Sequence, residues 1–199
     1  GHLESAWVDA GGNARTLVVG EARLSLGPGE GPGCVHYRVD LQRSLTEGWR
    51  GWGGRGREAV LVSPRLFLWS PPGGLAGAAV DFDLPPGMAV SAPWPASAAP
   101  DSEGQPAGGS SSPTRFRIGG RPLDWDGRLA LGRFDAFTLA LPGGRLDVAL
   151  LRGNPATPRE RIEPWLRANA EALTLASDAA HPRLPVERLQ VLVVPLGSG

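Results

Sequence analysis

Residues 58–94, EAVLVSPRLFLWSPPGGLAGAAVDFDLPPGMAVSAPW, combine the densest apolar run in the chain with its clearest strand-turn-strand pattern. In Val80-Asp81-Phe82-Asp83-Leu84 apolar and acidic residues alternate with period two. This puts Val80, Phe82 and Leu84 on a core face and both aspartates on the other, the pattern of a half-buried strand. Pro86-Gly87 then supplies a fixed φ followed by a residue that tolerates positive φ, the chemistry of a type II turn. Met88, Val90, Ala92 and Trp94 resume the alternation, so the spacing predicts a hairpin. Upstream, residues 60–62 and 66–69 are apolar without alternation, as expected of strands covered on both faces, with a bulge or edge at Ser63-Pro64. A chain built around such a stretch is a layered β protein.

The flanking segments extend the pattern. Residues 3–8 and 16–26 read as strands around a turn at Gly11-Gly12-Asn13. Further on, Cys34, His36 and Arg38 alternate with Val35, Tyr37 and Val39. Residues 96–113 are too poor in apolar side chains to offset the entropy of ordering them and read as a loop. Phe116 and Ile118 restore a strand, and Leu129 and Leu131 mark another. Phe137, Leu139 and Leu141, joined through Pro142-Gly143-Gly144 to Leu146, Val148 and Leu150, predict a second hairpin. After residue 151 the character changes. Thr157 at the N-cap, Pro158 at the first helical position and Glu160 form a capping-box start, and Ile162, Trp165, Leu166, Ala170 and Leu173 follow at helical spacing. One helix of about five turns is implied. Pro164 either kinks it or marks the start of its regular part. The apolar run 189–194, ended by Pro195, has the character of a buried strand. The expected fold is therefore mainly β: an antiparallel β-sandwich over residues 1–152, then one α-helix and a buried strand over 153–199 that begin a truncated α/β-type unit.

Charge and cysteine content narrow the functional classes. The 199 residues carry 20 basic and 20 acidic side chains, so no overall field attracts nucleic acid or an anionic membrane. Every basic residue is Arg, and Gly, Ala and Pro are abundant, which reads as GC-rich coding. Cys34 is the single cysteine, which excludes an internal disulfide and a multi-cysteine zinc site. No run approaches the roughly 20 apolar residues of a membrane-spanning helix.

Several residue groups invite a chemical reading. Cys34 and His36 share one face at i and i+2, yet two ligand-type residues without a third make a weak metal signal, and a structural or exposed role is favoured. The GWRGWGGRGR segment carries Trp49, Trp52 and Arg55, which suit a recognition loop acting by stacking and cation-π contacts. Its plainer reading, tryptophans folded back over a sheet edge, is favoured, and the glycines lack phosphate-loop spacing. The acidic pairs Asp81/Asp83 and Asp124/Asp126 read as a solvent face and a turn. With only His2, His36 and His181 and no G-x-S-x-G elbow, a nucleophilic triad has little to draw on.

The order of these features resembles the N-terminal region of the glycyl aminopeptidase-like zinc metallopeptidases, gluzincins in which a β-sandwich precedes a thermolysin-like domain. The matching pieces are Tyr37-Arg38-Val39-Asp40-Leu41, the Ser63-Pro64 segment with residues 66–69, the V-x-F-x-L-P-P-G-x-x-V-x-x-P-W stretch ending at Trp94, Leu131-Gly132-Arg133-Phe134, and the helix leading to LPVERLQVLVVP at 184–195. Each is degenerate, and their order across nearly the whole chain carries the likeness. The HExxH ligand helix of such enzymes has no counterpart in this sequence. The resemblance therefore implies a non-catalytic accessory domain, with no catalytic residue and no cofactor of its own, packing on an absent catalytic domain that would hold zinc. Trp165 and Leu166 are the residues expected at that interdomain contact. The alternative is a stand-alone β-sandwich module that binds carbohydrate or peptide through Trp49, Trp52 and Arg55.

Overall fold

The structure, a computed structural model, describes residues 2–10, 13–20, 23–24, 34–41, 43, 53–55, 58–69, 75–97, 114–119, 127–152, 158–177, 183–184 and 186–194. It is mainly β, with several antiparallel sheets and one long helix among the described residues. Strand β1 (His2–Ala10) lies between β2 (Asn13–Thr16) and β5 (Cys34–Asp40), antiparallel to both, while β3 (Val19–Gly20) and β4 (Arg23–Leu24) make a short ladder. A four-stranded sheet runs in the order β6 (Gly53–Arg55), β7 (Ala59–Val62), β11 (Leu129–Gly132), β9 (Ala89–Ser91). Strand β8 (Ala79–Phe82) pairs with β10 (Thr114–Arg117). The last sheet has β13 (Gly144–Leu151) between β12 (Phe134–Leu141) and β14 (Arg188–Val193), and helix α1 (Arg159–Ser177) connects β13 to β14.

Period-two alternation stacks these sheets. Val60 and Val62 of β7, Leu129 and Leu131 of β11, and Val90 of β9 join Val80, Phe82 and Phe116 in one core, so the β8–β10 pair covers one face of the four-stranded sheet. The intervening residues Ala59, Leu61 and Ala130 point the other way and meet Ala149, Leu151, Phe134 and Leu192 of the last sheet. Ala59, Ala130 and Ala149 are at most 3% exposed, and their small side chains let these two sheets lie close. On the far side of the last sheet, Phe137, Leu139, Leu146, Val148 and Leu150 pack under Leu166 and Ala170 of α1. The result is layered: sheet, sheet, sheet, helix. The β1–β2–β5 sheet has its own small core of Ala6, Val8 and Leu17 with Leu3 and Tyr37. Tyr37 also accepts, at its hydroxyl oxygen, a 3.4 Å bond from the Trp69 amide.

Three local expectations are corrected. The segment 80–94 is an arch rather than a hairpin, because β8 pairs with β10 and β9 with β11. The type II turn itself is present, with the Met88 amide bonded to the Pro85 carbonyl at 3.0 Å and Gly87 at φ +78°. Val80, Phe82, Val90, Ala92 and Trp94 all feed one core, so the two strands face each other across it instead of lying side by side. Pro85 and Pro86 have no N–H with which to start a ladder. Residues 66–69 are not a strand either. A 3-10 turn, Pro64–Leu66, opens there, its proline at a first helical position, and Phe67 and Leu68 drop half-buried into the same core.

The third correction concerns β14, expected to be buried. It pairs in parallel with β13 from Arg145↔Arg188 to Leu150↔Val193, and among the described residues its other edge has no partner strand. Its residues are half-buried, and Leu189 is 37% exposed. The reason lies in where the helix sits. Leu166 and Ala170 seat α1 on side chains of β12 and β13, and Val191 and Val193 reach that core only in part. The helix has the expected length, with Pro164 inside it, and Ile162, Leu166, Ala170 and Thr174 form its inward stripe at four-residue spacing. Thr157 lies outside the described residues. Strands from both sides of residue 152 share this last sheet.

Candidate docking surface

Of the exposed large apolar side chains among the described residues, Val18, Val35 and Met88 are scattered over the N-terminal half, and the rest lie on the C-terminal elements. Trp165 is 60% exposed and Leu175 57%, and Leu173, Val186, Leu189 and Val194 are also exposed. On α1, Trp165, Ala168, Ala172 and Ala176 recur at three- and four-residue intervals and are all exposed, so the helix carries a second apolar stripe beside its inward one. The other flank is charged. Arg159 donates to Glu163 at 2.7 Å while its guanidinium sits 4.3 Å from the Phe137 ring centre, and Arg167 approaches Glu163 at 3.5 Å. The hydrogen bond from Arg159 comes first among the causes that hold the Glu163 carboxyl below its usual range. The Asn169 side-chain amide donates to the Trp165 carbonyl at 2.8 Å, so that polar side chain is turned back on the helix.

A polar clasp beneath this surface ties β14 to the arch. Asp147 of β13 accepts at Oδ2 from Arg188 Nε, and at Oδ1 from Arg145 Nε and Thr138 Oγ1, each at 3.2 Å. Arg188 uses its remaining nitrogens on the arch, with Nη1 donating to the Trp94 carbonyl at 2.9 Å and Nη2 to the Ala92 carbonyl at 3.0 Å. Its side chain is 17% exposed. Gln190 donates to Ser91 Oγ at 3.0 Å. A guanidinium holds its donors in one rigid plane, so bonding a carboxylate and two backbone carbonyls at once fixes geometry as well as charge. Chemically the clasp positions. Both oxygens of Asp147 are occupied, and the group holds an edge strand at a set place against the neighbouring sheet.

The residues singled out from sequence fall in different places. Trp49 and Trp52 lie outside the described residues, as do Asp124 and Asp126. Arg55 belongs to β6, opposite Val60. Trp165 and Leu166 part company: the first is exposed, and the second, 6% exposed, is in the core of this chain. Asp81 is bridged by Arg115 through bonds of 2.6 and 2.8 Å, and that hydrogen bonding holds its carboxyl below the ordinary range. Cys34 is exposed. His36 stacks on its cross-strand neighbour Trp7, with centroids 5.2 Å apart and planes 7° from parallel. Among the described residues no three His, Cys, Asp or Glu side chains are grouped to hold a metal, and no helix is long and apolar enough to cross a membrane. The clasp was not foreseen. Its sequence signal is faint: Arg145 and Asp147 are charges at the start of a strand that continues apolar, and Arg188 opens the apolar run of β14. No family model and no curated protein matches this chain.

Proposed function

We propose that this chain is a non-catalytic accessory domain that packs, through β14 and the exposed stripe of α1, on the catalytic domain of a zinc metallopeptidase. The observation that carries the reading is β14: a parallel strand, half-covered on its helix side and unpaired along one edge among the described residues. Parallel strands are ordinarily covered on both faces, and an open edge of unpaired amides and carbonyls is a template for a further strand. Trp165 supplies the kind of aromatic anchor that dominates protein-protein contacts. The clasp supports the same role, since Arg188 holds β14 rigid and so lowers the ordering cost of docking. The zinc-peptidase identity of the partner rests on the sequence resemblance. In this reading the chain binds no zinc; it supplies a wall and a sheet edge, and the partner supplies the metal and the chemistry.

The test begins with the open reading frame after residue 199, where an HExxH segment is expected; a stop codon there, with no such segment, sinks the proposal. Given that segment, the two pieces are expressed apart and their binding measured. Trp165→Ala is expected to weaken association by at least about 2 kcal/mol, roughly thirtyfold. Unchanged binding by both Trp165→Ala and Leu189→Asp removes this surface as the contact.

A further inference from the structure

We draw no further inference here: the strongest candidate, the outer face of the β1–β2–β5 sheet where Trp7 stacks on His36 beside Arg38, is a cross-strand pair of the kind that stabilises a sheet unaided, and nothing in the structure shows what covers it.

Discussion

Gly132 illustrates a residue whose identity the backbone dictates. Its φ is +131°, and a Cβ there would collide with the Glu58 carbonyl oxygen, the same atom that accepts from the Arg133 amide at 2.9 Å. The glycine of Leu131-Gly132-Arg133-Phe134 is therefore required by β7 passing close by, a long-range fact that no local reading of the four residues contains. Gly132→Ala is expected to cost about 3 kcal/mol or more, read as a lower urea midpoint. A loss under about 1 kcal/mol would mean that this backbone approach is looser than described. Arg188 is the second such case. Replaced by Met, it leaves Asp147 with Arg145 and Thr138 but strips the Ala92 and Trp94 carbonyls of their donor. Because Asp147 is 25% exposed, the expected loss is about 2 kcal/mol, below that of a fully buried pair. Adding Asp147→Leu should recover part of it, since the carboxylate that lost its Arg188 partner at Oδ2 goes too. A double variant less stable than the single one would argue against the clasp.

Among the elements, those with a strong period were legible and those set by partners were not. The alternation in 80–84 and 137–150 identified strands and their inward faces, and the 3.6 period placed α1. Which strand lies beside which is another matter. A type II turn between two alternating runs is equally consistent with a hairpin and with an arch, and here the choice fell to the shared core around Trp94. Local pattern also misjudged β14, whose apolar sequence is the same whether or not a helix covers it. The β8–β10 ladder offers a pH test. Arg115 and Asp81 are register partners, and their hydrogen bond lowers the folded-state pKa of Asp81. A group depressed on folding stabilises above its unfolded pKa and loses that contribution as pH falls through the folded value. The melting-temperature gap between the wild type and Asp81→Asn is thus expected to be constant near neutrality and to close in acid, below the ordinary carboxylate range. A gap that widens on acidification would contradict the assignment.

At the scale of the whole molecule, the helix has two apolar stripes, and among the described residues only one of them is packed in a core. Leu166 points into the layer beneath it and Trp165, its neighbour in sequence, points out. Spacing alone grouped them, because residues one apart on a helix lie about 100° apart and both fall within a generous apolar arc. Burial separates them, and so do the expected phenotypes. Leu166→Ala should cost the isolated chain about 2–5 kcal/mol, the usual range for a large-to-small change in a packed core. Trp165→Ala should leave the isolated chain within about 0.5 kcal/mol of wild type, as surface changes generally do. If Trp165 serves a partner, its truncation acts on association alone, and its loss is invisible to a denaturation curve of the chain by itself. Chemical unfolding of the two variants side by side decides this. Equal destabilisation would mean that Trp165 is held by the fold itself, and the exposed stripe of α1 would then cease to be a contact surface for anything else.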